Sequence, residues 1–254
     1  MTLLEQTSGT LVNTLTVVAG SGLGLLLRGR FSDRVITTVM QAIGLVTVFI
    51  GISNAADLLK VDSPPGLIIG LTALALGGVL GEWWRIEDGL ANLGTRLKER
   101  FGGQGSFTEG FMAASLLFCV GPLTLVGSIQ NGLAGDDTFL LLKAALDGIS
   151  SIGLAATFGF GVLFAGATVI IIQGTLSLSA GLFAGLMADP YTDPNVLLVN
   201  GAGGLLIMGL GLTLLGVVRI RTASMLPALL LVVLLYQAAQ YAGRLLPAGL
   251  LSSP

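Results

Sequence analysis

Residues 138–159 read TFLLLKAALDGISSIGLAATFG, and the reading of that stretch decides the fold. It is long and apolar enough to cross a bilayer, which takes about 20 residues of helix. Yet it carries Lys143 and Asp147, one helical turn apart. An ionisable group at the centre of a spanning helix costs about 3 kcal/mol on insertion scales, so such residues are rare there and mark a site or a pathway.

The rest of the chain is written in the same language. Of 254 residues, 53% are hydrophobic and only 10% are charged. A soluble domain needs roughly 25% charged residues to coat its surface, so most of this surface must face lipid. The 38 glycines suit close helix–helix contact, where no hydrophobic effect drives association. A net charge of −2 argues against a nucleic-acid partner, which needs clustered Lys and Arg. Cys119 is the single cysteine and there is no histidine, so an internal disulfide, the usual zinc or haem ligation and His-based nucleophiles are all excluded. No cofactor is expected. The opening MTLLEQTSG has no basic residue, and the first apolar run therefore reads as a retained helix rather than a cleaved signal.

The expected fold class is an all-α polytopic membrane bundle of about eight spans. A 19-residue window places them at 9–27, 35–54, 65–84, 108–130, 138–158, 160–187, 195–217 and 224–246 within one integral-membrane domain, 1–254. Arg28, Arg30 and Arg34 follow the first span, Arg85, Arg96, Lys98 and Arg100 the third, and Arg219 and Arg221 the seventh. The positive-inside rule makes that side cytoplasmic and puts both termini on the other, with Asp57, Asp62, Asp136, Asp137, Asp189 and Asp193. Residues 85–101 carry Ile86, Leu90, Leu93, Leu97 and Phe101 on one helical face, with Trp83 and Trp84 just before. This is an amphipathic helix, lying on the cytoplasmic membrane surface or packed on the bundle.

Two segments echo each other. QAIGLVTVFIGI (41–52) can be laid over NGAGGLLIMGLGL (200–212), and spans 2 and 7 run in opposite directions in this topology. Helices 1–3 and 6–8 are therefore candidate inverted halves, a common plan in secondary transporters. The competing reading is chance likeness between Gly- and Leu-rich helices.

Chemistry concentrates in spans 4 and 5. Span 4 reads FMAASLLFCVGPLTLVGSIQNG, and Gly121-Pro122 predict a break that frees backbone groups at membrane depth. Ser115, Cys119, Thr124, Ser128 and Gln130 add polar groups on the same span; alternatively the proline makes a plain kink and the hydroxyls bond back to their own helix. In span 5, Asp147 lies about 14 Å from the outer end at 1.5 Å per residue, close to the midplane. Lys143 can pair with it, and Ser150 and Ser151 follow. The pair is either an ion, proton or anionic-substrate site or a packing device. Asn13, Gln41, Gln173 and Asn200 read as interhelical glue, and Gln173-Gly174 also suggests a second break. Gly66/Gly70 and Gly181/Gly185 are small-residue faces for packing or for a homo-oligomer.

Together, GTLVNTLTVVAGSGLGLLL (9–27), MQAIGLVTVFIGISNA (40–55), LLFCVGPLTLVGSIQNG (116–132) and LLKAALDGISS (141–151) resemble the bacterial integral-membrane family of unknown function represented by YqgA/YdfK-like proteins. The resemblance runs through GGLLIMGLGLTLLG (203–216), implies a bacterial inner membrane and a transport or other membrane role, and supplies no substrate. Absence of GxSxG, HExxH or a metal cluster argues against an enzyme. The expected function is transport of an ion or small solute, H⁺ or Na⁺ among them. Asp147, Lys143, Ser150, Ser151, Cys119, Gly121, Pro122, Ser128, Gln130 and Gln173 are the expected site residues. The alternative is an oligomeric assembly or sensory protein.

Overall fold

Backbone amides and carbonyls have no water to bond in hydrocarbon, so long apolar runs must close their hydrogen bonds within helices. The computed structural model describes residues 2–30, 32–101, 106–120, 122–180 and 192–245, and among them the secondary structure is helical. The helices are α1 (Leu3–Leu27), α2 (Asp33–Ala55), α3 (Gly66–Trp83), α4 (Ile86–Phe101), α5 (Phe107–Cys119), α6 (Pro122–Ala134), α7 (Thr138–Phe158), α8 (Gly161–Leu178), α9 (Pro194–Leu214) and α10 (Ala228–Leu245). Their ends are chemically set. Thr2 and Glu5 close a reciprocal capping box at the start of α1, and Asp193 accepts from the Asn195 amide at 2.8 Å ahead of Pro194 in α9.

Among the described residues, seven helices are each long and apolar enough to span a membrane, and the bent pair α5–α6 qualifies together. Contacts decide how the pair is used. α1 and α7 lie parallel: Gly9 meets Leu140, Gly20 meets Gly148, and Gly24 meets Ile152. A chain that crosses at α1, α2 and α3 comes back parallel at α7 only if α5–α6 crosses as well. The pair also follows α8 along its length, from Phe107 against Gly161 to Gly132 against Ser177. Taken as one broken span, bent by 58°, it brings the candidate spans among the described residues to eight.

The sequence predicted a break at Gly121-Pro122, with Pro122 within the span rather than at the start of a helix. Instead Pro122 opens α6, where a missing amide donor leaves no bond unmade. The carbonyl of Phe118 left by the break accepts from the Thr124 hydroxyl at 3.2 Å. Gly121 lies outside the described residues, as do 181–187 of the sixth expected span with Gly181 and Gly185. The second expected break does not occur: α8 runs unbroken through Gln173-Gly174. Glycine there meets no neighbour within 4 Å, and the helix hydrogen bonds need none. Gln41 is exposed on α2 rather than set between helices.

Two groups of helices share the bundle. One core gathers Val17, Phe118, Leu154, Val162 and Val169 from α1, α5, α7 and α8. The other gathers Leu58, Ile69, Leu198, Ala202 and Val232 around α9, the most enclosed of the spans. Gly66 and Gly70 spend their small face here, against Leu58 and Val61. α2 and α9 are antiparallel and nearly touch backbone to backbone, with Gly44 opposite Gly211 and Gly51 opposite Gly204. Such contact admits no Cβ: one on Gly51 would sit 2.5 Å from the Met208 nitrogen.

The basic residues gather at one end. Arg28 lies over Gly159, whose φ of +85° turns α7 into α8. Arg221 bridges to Glu82 at 3.0 Å, Asp88 at 3.1 Å and Glu87 at 3.7 Å, tying the α9–α10 connection to α3 and α4. α4 packs on the bundle through Gly94 against Thr108 and Phe111, and the Phe101 ring sits 4.8 Å from that of Phe164. Trp83, Trp84 and Leu93 are left exposed beside it.

Candidate functional site

The (i, i+4) spacing puts Lys143 and Asp147 on one face of α7, and that face turns inward. Both side chains are buried, at 5% and 6% exposure, and Lys143 Nζ pairs with Asp147 Oδ2. The carboxylate does not stop at its lysine. Asn13 Nδ2 on α1 donates to the same Oδ2 at 3.0 Å and to Gln173 Oε1 on α8 at 3.3 Å. Three helices thus meet at one polar junction near the middle of α7, with Asn13 and Gln173 fully buried. A carboxylate can only accept, so Asn13 must turn its amide nitrogen toward Asp147 and its carbonyl away. Buried charge needs such company: the Coulomb gain of a pair offsets desolvation only where further hydrogen bonds complete it.

On the opposite flank of the pair lies a cavity of about 700 Å³, open along its outer side, where Val46 and Ile149 are exposed. α2 and α7 form its long walls, from Val35 near the basic end to Asn54 near the other. Most of the lining is aliphatic, Val39, Ile43, Val46, Ile50, Leu146 and Ile149 among it. Lys143 and Asp147 supply its charge; Thr47, Thr124, Ser150 and Thr157 supply hydroxyls. An ion pair at the wall of an apolar cavity can do one thing readily: exchange partners. A cation can take the carboxylate from the lysine, or an anion the lysine from the carboxylate.

The expected site residues divide. Lys143, Asp147 and Ser150 share the cavity, and Gln173 joins behind the pair. Ser151 does not: its hydroxyl bonds back to the Gly148 carbonyl at 2.7 Å, and it packs on Gly20 of α1. Cys119, half-buried, ends α5 beside the first core. Ser128 is fully buried with its hydroxyl unpartnered, and Gln130 Oε1 is likewise without a partner. Asn13, read from the sequence as interhelical glue, joins α1 to α7 and α8, and only its membership of the site was missed. It was visible as a polar residue in an apolar span, but its place at Asp147 depends on α1 lying beside α7. Asn131 is similar, accepting from the Gly9 amide at 3.2 Å and donating to Glu5 O at 3.0 Å and Ser8 Oγ at 3.1 Å.

Fold and junction together define a multi-pass membrane helix bundle with a charged pair buried among its spans. The chain belongs to the family described as Protein of unknown function (DUF554), whose model matches residues 8–237. It is 34% identical over 223 residues to the uncharacterized membrane protein YdfK of Bacillus subtilis (strain 168), covering 88% of this chain and 93% of that one. To the uncharacterized protein YqgA of Escherichia coli (strain K12) it is 29% identical over 230 residues, again 88% of this chain and 93% of the relative. No solved structure matches it.

Proposed function

We propose that this protein carries a small solute or ion across the bacterial cytoplasmic membrane, with Asp147 and Lys143 as the exchanging pair. One observation carries the reading: a buried ion pair forms part of the wall of a cavity of about 700 Å³. Burial costs each charge its solvation, so an ion pair kept at the wall of such a cavity is better explained by a ligand that exchanges with it than by packing. Spans 1–3 (α1–α3) and 6–8 (α8–α10) are read as inverted halves. In support, a single shift in numbering carries Asn13 onto Gln173, Gly44 onto Gly204 and Gly51 onto Gly211. Asn13 bonds Gln173, while Gly44 faces Gly211 and Gly51 faces Gly204, as a two-fold axis in the membrane plane would arrange them. The basic end is taken as cytoplasmic and both termini as external.

The test is electrical. Protein reconstituted in liposomes on a solid support is exposed to jumps of pH, Na⁺, organic anions, amino acids and polyamines. A current is expected in wild type and lost in Asp147→Asn. A correctly folded Asp147→Asn that transports as well as wild type overturns the proposal.

A further inference from the structure

Behind Asp147, away from the cavity, runs a seam of buried polar atoms that the ion pair does not use. Thr10 Oγ1, Asn13 Oδ1, Ser128 Oγ and Ser177 Oγ have no hydrogen-bond partner within the protein, and each residue is at most 2% exposed. They come from α1, α6 and α8. Asn131 of α6 meets Gly9, and Gly132 meets Ser177. One turn deeper along α6, Ser128 is therefore level with Asn13 and Gln173. Thr10 and Ser177 lie one turn toward the acidic end. Buried polar groups are partnered as a rule, and a cluster of exceptions marks where something else binds.

We propose that this seam is a binding site for a small alkali cation of the Na⁺ class, held by the Asp147 carboxylate, by Ser128 Oγ and, once its amide turns over, by Asn13 Oδ1, with Thr10 and Ser177 on the approach. The chemistry selects the ligand. The unpartnered atoms are oxygens, opposed by the single amide donor Gln173 Nε2. Hard cations take oxygen ligands, neutral carbonyl and hydroxyl as well as carboxylate. One carboxylate matches a single charge, whereas divalent sites draw on several. A proton needs the carboxylate alone and gives no role to the unpartnered oxygens of Asn13 and Ser128. Lys143 competes for the same carboxylate, so cation entry releases the lysine to the cavity. The inference deepens the transport reading by naming its ion, but binding is measured without transport.

Equilibrium binding of ²²Na⁺ to the purified full chain in detergent, by scintillation proximity, tests it. Saturable binding is expected, abolished in Asp147→Asn and weakened on the order of tenfold in Asn13→Ala and Ser128→Ala, with Ser128→Thr restoring it. Lys143→Met should tighten binding, which loss of packing would not do. Variants are compared at matched monodispersity. Absence of saturable Na⁺ binding by folded wild type overturns the site, as does wild-type binding by Ser128→Ala and Asn13→Ala; proton-driven flux without Na⁺ binding does the same. Binding without flux of any solute keeps the site and sinks the transport reading instead.

Discussion

Asn13 and Gln173 meet side chain to side chain at 3.3 Å, and the same Asn13 nitrogen holds Asp147. The charge state of one carboxylate on α7 thereby orients two amides on two other helices. Asn13 shows a donor to an ionised Asp147, and Gln173 must then show its carbonyl to Asn13. Whatever neutralises Asp147 frees both amides to turn over.

That chain of orientation makes the pair sensitive to being half removed. Lys143→Met and Asp147→Asn each leave a buried charge unpaired, at about 3–5 kcal/mol for a buried pair. The double variant Lys143→Met/Asp147→Asn should be more stable than either single one, as read from thermal unfolding in detergent. Additive losses in the double variant would show that the two charges do not interact.

The parallel seam of α1 and α7 should reject side chains. A Cβ at Gly20 would collide with the Gly148 carbonyl, which is backbone and cannot swing away. Gly20→Val is expected to lower stability by at least the 1–3 kcal/mol typical of overpacking, while Gly22→Ala, with open space around it, should be neutral. Comparing the folded fractions of the two after solubilisation checks the register.

Asn131 secures the ends of α1 and α6 through three hydrogen bonds. Asn131→Leu keeps the size but leaves the Gly9 amide and the Glu5 carbonyl without it, which should cost roughly 1–3 kcal/mol. Faster hydrogen exchange confined to the first turns of α1 is the expected signature. Uniform loss of protection would instead mean that the whole bundle depends on this residue.

At the basic end, burial pushes the Glu87 carboxyl above its usual range, and the pull of Arg221 and the Ser224 amide the other way does not cancel it. The folded chain then holds this proton to higher pH than the unfolded chain. Its contribution to stability is greatest in acid and declines as pH climbs from the ordinary carboxylate range through the raised value. Glu87→Gln should flatten that decline and raise Tm at pH 7 by roughly 2 °C. Arg221→Ala should steepen it. A pH profile of Tm for the three proteins decides the sign.

Much of this was legible in the chain because the bilayer imposes so few solutions. Lys143 and Asp147 on one face follow from spacing alone. The bent fourth span follows from Gly121-Pro122, though only the structure shows the proline starting a helix. Gln173-Gly174 misled because glycine in a membrane helix reads equally well as a break or as smooth surface, and nothing local distinguishes them. Asn13 and Asn131 were unreadable as partners of the particular groups they hold for a different reason. Each acts through a helix far away in sequence, and periodicity says which face is polar without saying what it meets.

The parallel packing of α1 on α7 also bears on how the protein is made. Asn13 enters the membrane 134 residues ahead of Asp147 and 160 ahead of Gln173. At about 5–20 residues per second, its partners are on the order of ten seconds away. Through that interval α1 holds a bare amide in an apolar setting. α1 is made well before the helices that hold it, and its polar face is an early burden carried for a late assembly.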